Sequence, residues 1–180
     1  MSQTEITETA DFYRRDTSHR LDAKRRSALG QYMTATPLAR FLASLFDEPR
    51  GDICLLDPGA GVGSLTAAFA ERLCHQANKP RSASFVCYEI EPLMLDYLRG
   101  TLQVVEQECT SAQIKALSHV HETDFILSNA GNGQSDIFVN WHGSNHEYTH
   151  VIVNPPYKKI NTASEHRKAL CKAGIETSNL

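Results

Sequence analysis

With 180 residues, 41% hydrophobic and 22% charged, the chain has the length of one domain and the make-up of a globular protein rather than a disordered one. A chain this long buries roughly two thirds of its unfolded surface, so it needs neither disulfide nor metal to hold a core. No run approaches ~18 apolar residues and the N-terminus is polar and acidic, which argues against a membrane span or a secretory signal. Cys54, Cys74, Cys87, Cys109 and Cys171 are odd in number, widely spaced and form no CxxC pair, which fits reduced thiols in a cytoplasm.

The formal net charge of -3 hides a segregation. Residues 14–26 carry six Lys/Arg against two acids, residues 27–153 seven against fourteen, and residues 154–180 five against two. Basic ends around an acidic body suit a polyanion met on one side, and solvated helix faces give the same pattern.

Residues 1–26 are polar, lack Gly and Pro, and read as a helical or partly ordered arm. Thr36 is expected to cap a helix with Pro37 at its first position. Leu38, Phe41, Leu42 and Leu45 follow at i, i+3, i+4, i+7 and are expected to face the core. Ile53-Cys54-Leu55-Leu56 reads as a buried strand ending at Asp57-Pro58, and a Gly-rich turn leads to a helix with Leu65, Ala68, Phe69 and Leu73 on one face. Ser84–Tyr88 is a second strand ending in Glu89, and Pro92 opens a long helix striped by Leu95, Leu98, Leu102 and Val105. A weaker third strand is expected near 118–123, an insertion loop over 128–147, and a fourth strand over Thr149–Val153. Strands alternating with helices imply an α/β fold, a parallel sheet with helices on both faces.

A doubly wound sheet usually has more strands than these. The fourth strand's outer side would be an unpaired apolar edge, so the sheet reads as cut short there and the chain as part of something larger.

Two constellations carry chemistry. The first is Asp57-Pro58-Gly59-Ala60-Gly61-Val62-Gly63-Ser64, between strand and helix at the carboxyl edge of the sheet. Glycines let the backbone approach a ligand closely there. The spacing is GxGxG rather than the GxGxxG of dinucleotide binding, and Asp57 would repel a pyrophosphate while attracting an amine. Glu89, at the next strand end, suits two ribose hydroxyls. An amino acid joined to a nucleoside fits both carboxylates, and S-adenosylmethionine is that molecule. A tight turn with acids at a helix entry is the plainer reading.

The second is Asn154-Pro155-Pro156-Tyr157. Two prolines stiffen the turn, the Asn154 side chain and the Pro155 carbonyl can both accept from an exocyclic amine, and Tyr157 offers a stacking face. Such a site needs little general-base chemistry, and positioning supplies most of the rate. A rigid turn after a strand is the alternative.

The order Gly30-Gln31-Tyr32-Met33-Thr34, Asp57 to Gly63, Glu89-Ile90-Glu91-Pro92, Asp124-Phe125 and Asn154 to Tyr157 resembles the N6-adenine DNA methyltransferases. Within them it is most similar to the PstI/BsuBI restriction-modification type, including Lys158-Lys159-Ile160 and Gly174 to Leu180. The resemblance covers residues 26–180 and implies a Rossmann-like S-adenosylmethionine-dependent fold. It divides the chain into a basic arm over 1–26 and a partial methyltransferase catalytic domain over 27–180. By it, Thr34 would contact the cofactor's methionine carboxylate, and Asp57 with Gly59, Gly61 and Gly63 would hold the methionine end. Glu89 would take the ribose, Ile90 would pack on the cofactor adenine, and Asp124 and Phe125 would bind and flank it. Asn154, Pro155, Pro156 and Tyr157 would receive a target adenine flipped out of double-stranded DNA. Arg14, Arg15, Lys24, Arg25, Arg26, Lys158 and Lys159 would meet phosphates.

The family's threonine is usually followed directly by proline; here Ala35 and Thr36 intervene, so Thr36 is the alternative to Thr34. The family continues with further strands and a target-recognition domain, so the chain is expected to be an incomplete form. A cognate restriction endonuclease is the other partner implied; no membrane and no metal are. Enzymes with the same turn also methylate protein glutamines and RNA bases, and a truncated chain that binds cofactor without transferring a methyl group is the non-catalytic reading. His119, His121, His142, His146 and His150 lack a regular ligand spacing and read as polar surface, and Trp141 reads as structural.

Overall fold

The apolar runs of the sequence become the middle of a sheet whose strands are joined by helices, in a computed structural model that describes residues 6–21, 33–130, 148–155 and 164–175. In chain order the elements are α1 (Ile6–Arg20), α2 (Thr36–Ser44), β1 (Asp52–Asp57), α3 (Ser64–His75), β2 (Ser82–Tyr88), α4 (Pro92–Ser111), β3 (Lys115–His121), α5 (Phe125–Asn129), β4 (His150–Val151) and α6 (Glu165–Lys172). The four strands lie in the order β3-β2-β1-β4, all parallel. Leu55 sits beside Phe85 and His150, and Leu56 beside Val86 and Val151. A parallel sheet demands crossovers, and α3 and α4 supply them.

Successive strand residues point to opposite faces, and both faces are filled. On one, Ile53, Leu55, Ala83, Phe85 and Cys87 join Phe69 and Leu73 of α3 and Leu98, Leu102 and Val105 of α4 in one buried cluster. Each large apolar side chain taken from water there is worth roughly 1.5–3 kcal/mol before ordering costs. On the other, Leu56, Val86 and Tyr88 pack with Phe125 and Tyr148, the Phe125 ring meeting Tyr88 edge-on at 5.0 Å. Helices therefore cover both faces: α1 to α4 on the first, and α5, in contact with α6, on the second.

Helix α1, which falls within the expected arm, lies over α3 and α4, with Ile6 and Ala10 in the core cluster. Thr7 donates to Glu71 Oε2 at 2.7 Å, and Arg40 Nε reaches Glu71 Oε1 at 2.9 Å, which ties α1, α2 and α3 together. Burial pushes the Glu71 carboxyl up, but Arg40 and Thr7 outweigh it and hold it below the ordinary range. A Cβ on Gly100 would stand 3.0 Å from the Tyr13 hydroxyl, so a larger residue there would push the Tyr13 ring of α1 away from α4. Arg14 and Arg15 both pair with Asp11, at 2.8 and 2.7 Å. The sulfurs of Cys74 and Cys109 lie 3.8 Å apart as free thiols.

Four expectations need correction. Thr36 is the first helical residue rather than the cap: Ala39 N donates to Ala35 O at 3.0 Å, so Ala35 takes the cap position without a side-chain bond. The Thr36 hydroxyl is drawn to the Asp11 carboxylate instead. Leu38, Phe41 and Leu45 do not face the core; they are 46%, 57% and 64% exposed, because α2 approaches its neighbours through Ala39 and Ala43. The ladder of the fourth strand covers His150–Val151 alone, and the third strand begins earlier than expected, at Lys115. The expected insertion loop falls largely on residues 131–147, outside the described residues, as do Trp141, His142 and His146.

Candidate functional site

In a parallel sheet the crevice for a ligand opens outside the carboxyl ends of the strands, where the strand order reverses. The order β3-β2-β1-β4 reverses between β1 and β4, so that place lies beyond Asp57 and Val151.

Asp57 ends β1 with no solvent exposure. Its Oδ2 accepts from the Thr66 hydroxyl at 2.9 Å, while Oδ1 is buried with no hydrogen-bond partner among the described residues. Burial raises its pKa to about 7, against the pull of Thr66, and the Glu89 carboxylate adds to the rise. A cation or hydrogen-bond donor arriving at Oδ1 would satisfy an atom that is otherwise costly to bury.

The loop that follows turns on left-handed backbone at Gly61 (φ 58°) and Gly63 (φ 86°). At Gly63 space is also decisive: a Cβ would lie 3.0 Å from Leu98 Cδ1 and 3.1 Å from Thr101 Cγ2. The Thr101 hydroxyl donates to Val62 O at 2.7 Å, so α4 clamps the loop from behind. Around Gly59 a Cβ would meet nothing within 4 Å, leaving room on the outer side.

Glu89, one residue beyond β2, is 5% exposed. Its Oε2 accepts from Gly61 N at 2.8 Å, and Oε1 from Ile90 N and Glu91 N, each at 2.8 Å. Burial pushes this carboxyl up despite the three amides. Oε2, which accepts one bond, keeps a further lone pair for an incoming hydroxyl, while Oε1 already accepts two. Ile90 beside it is 49% exposed, an apolar surface at the rim.

Thr34 and Asn154 meet: Asn154 Nδ2 donates to Thr34 Oγ1 at 3.0 Å. Thr34 itself is buried, and its neighbour Met33 packs against Val62 of the glycine loop and Met94. The segment before α2 thus spans the glycine loop on one side and the turn after β4 on the other. The Asn154 amide nitrogen is thus turned to Thr34. Pro155 is exposed at the rim. Pro156 and Tyr157 lie outside the described residues, as do Gly30 to Tyr32 and the basic residues Lys24, Arg25, Arg26, Lys158 and Lys159.

Asp124 caps α5, with Oδ1 accepting from Leu127 N at 2.9 Å, and its Oδ2 lies 2.8 Å from His166 Nε2. Phe125 turns its ring to Tyr88. His166 on α6, Thr66 and Thr101 were not anticipated from the sequence. Ser164, with Glu165 in the first turn, was a start signal for α6, whereas nothing in the spacing links His166 to Asp124. His150 is not surface: it packs 5.4 Å from both Phe46 and Phe69, and burial lowers its pKa. Among the described residues no three His, Cys, Asp or Glu side chains gather as a metal site, and no helix is long and apolar enough to cross a membrane.

No family model matches the chain. It is 35% identical over 170 residues to the type II methyltransferase M.PstI of Providencia stuartii, which covers 94% of this chain and 32% of that protein. It is 38% identical over 180 residues to the type II methyltransferase M.BsuBI of Bacillus subtilis, covering 98% of this chain and 34% of that protein. The chain spans about a third of the length of these curated relatives. Over nearly its whole length, it is homologous to one part of the type II methyltransferases M.PstI and M.BsuBI.

Proposed function

We propose that this chain is the cofactor-binding and base-receiving part of an enzyme that transfers a methyl group from S-adenosylmethionine to the N6 amine of adenine in DNA, in the cytoplasm. The observation that carries the reading is the Thr34–Asn154 hydrogen bond, because it sets the base-receiving turn against the segment that borders the glycine loop. Homology to two type II methyltransferases supports the reaction class.

The residues present fit the cofactor. The buried Asp57 oxygen without a partner suits an ammonium group, Gly59 leaves open space, Glu89 Oε2 has a lone pair for a ribose hydroxyl, and Ile90 offers an apolar surface for a purine. Thr34 and the Gly61–Gly63 turn complete the methionine end in this reading, and Asp124 and Phe125 the adenine end. When bound, the cofactor supplies a methyl group on a positively charged sulfur. Asn154 Oδ1 and the Pro155 carbonyl accept the two hydrogens of the target's exocyclic amine, and Tyr157 stacks on its ring. Holding those hydrogens turns the nitrogen lone pair out of conjugation, and the rate follows from orientation rather than from a strong base. Duplex DNA with the adenine flipped out is the substrate, and a restriction endonuclease of the same site specificity is the expected companion.

The test is to incubate this chain, together with the part of M.BsuBI outside the matched third, with tritium-labelled S-adenosylmethionine and duplex DNA, then digest to nucleosides and separate them. Label in N6-methyldeoxyadenosine is expected. Label in a cytosine, in added RNA or in a glutamine of added protein would overturn the acceptor assignment.

A further inference from the structure

We infer that Cys74 and Cys109 are a modification site that closes to a reversible disulfide when the protein meets a hydroperoxide, stapling α3 to α4 at the end of the sheet away from the strand carboxyl ends. Their sulfurs stand 3.8 Å apart, and both are free thiols. Cys74 lies one residue before the end of α3, and Cys109 in the last turn of α4. Both helices follow strands of one parallel sheet and run back against them, so their final turns meet at its amino edge. Asp57, Glu89 and the glycine loop occupy the other edge. A disulfide needs its sulfurs about 2.05 Å apart, a gap that side-chain rotation within two helix-terminal turns can close.

The two thiols are not equivalent. Cys109 has no solvent exposure and sits inside the core cluster, whereas Cys74 is half-buried at the margin of that cluster. The hydrogen bond with Cys109 holds the Cys74 thiol below its ordinary pKa, outweighing burial and the Glu108 and Glu71 carboxylates, and Lys79 adds to the fall. The same bond, with burial, pushes the Cys109 thiol up. Cys74 is therefore the sulfur that an oxidant in solvent meets as a thiolate, and Cys109 the thiol beside it that resolves the product. Cys54 and Cys87 differ in both respects. Cys54 packs on the opposite face of the sheet and Cys87 lies against the Thr66 hydroxyl, and burial raises both thiols.

In the first step the Cys74 sulfur attacks one oxygen of hydrogen peroxide. The S–O bond forms, the O–O bond breaks, and the departing hydroxide takes up the proton that Cys74 gave to solvent. In the second step the Cys109 sulfur attacks the Cys74 sulfur. The S–S bond forms, the S–O bond breaks, and the Cys109 proton leaves with the hydroxyl as water. The two sulfurs together lose two electrons, which the peroxide takes up on becoming two waters; a dithiol reverses the change by exchange. The link joins residues 35 apart in sequence and encloses β2 with most of α4, which restricts the unfolded chain. It leaves the carboxyl edge untouched, so the inference does not depend on which molecule binds there.

The experiment treats the Cys171→Ser chain with a small excess of hydrogen peroxide, then alkylates the remaining thiols and digests for mass spectrometry; removing the exposed Cys171 prevents links between chains. The expected product has lost the mass of two hydrogens, joins the Cys74 peptide to the Cys109 peptide, and returns to the starting mass with dithiothreitol. Its melting midpoint should lie about 5 °C or more above that of the reduced chain. With Cys109→Ala added, dimedone should capture a sulfenic acid on Cys74. With Cys74→Ala added, Cys109 should stay a thiol. The inference is overturned if both residues are alkylated after treatment, if another pair is joined, or if Cys74 goes on to a sulfinic acid without a link. A midpoint that is unchanged or lower in the linked chain would refute the staple.

Discussion

Asp57 and Glu89 end the two strands that have a neighbour on each side, whereas Asn154 follows a two-residue ladder at the edge of the described sheet. The first pair is held by buried, convergent bonds: Thr66 on Asp57, and three backbone amides on Glu89. The second position is half-buried, and its link to the rest of the site runs through Thr34. The difference teaches how preorganisation is distributed. Central strands fix carboxylates rigidly but desolvate them, so that end is costly to charge and ready for a cation. An edge strand fixes its turn only as well as its neighbours allow, so the Asn154 turn relies on its bond to Thr34.

That contrast can be tested at the rigid end first. Asp57 is buried with its pKa raised to about 7, so the native state holds a proton that the unfolded chain releases near pH 4. Stability should therefore fall as pH rises from about 4 through about 7 and level off above. Asp57→Asn, which keeps an acceptor for Thr66, should remove this fall and stabilise the protein at pH 8 by on the order of 3 kcal/mol. Urea unfolding at pH 5 and pH 8 checks it, and an equal effect at both values would contradict the buried-charge account.

Gly63→Ala should destabilise by about 2–3 kcal/mol, because it combines left-handed backbone with a Cβ forced against Leu98 and Thr101. Gly59→Ala, with free space around it, should change thermal unfolding little. The edge end should respond less: Thr34→Val should cost about 1 kcal/mol or less in denaturant unfolding, with Thr34→Ser restoring the loss. A Thr34→Val penalty as large as that of Gly63→Ala would erase the distinction between the two halves.

Much of the central architecture was legible because the residues concerned leave little choice. A strand ending in Asp57, glycines where the backbone turns left-handed, and Pro92 opening a long helix each have one economical reading. The α2 stripe misled because periodicity locates a face without saying what meets it. Small Ala39 and Ala43 make the close helix contact, and the large residues look outward. His150 misled likewise, since it packs against rings distant in sequence, and His166 went unread because its partner Asp124 lies 42 residues away. Thr34 was singled out by resemblance, yet its bond to Asn154 spans 120 residues and no local pattern encodes it.

The central claim is that the cofactor end is preformed on the central strands and separable from the base-receiving end. Calorimetric titration of this chain with S-adenosylmethionine, beside Asp57→Ala and Asn154→Ala, tests it most directly. The account predicts binding by the native chain, a loss of about 100-fold in Asp57→Ala from removing a charge-assisted contact, and affinity within about threefold of native for Asn154→Ala. Absence of binding by a folded native chain, or equal losses in the two variants, would contradict it.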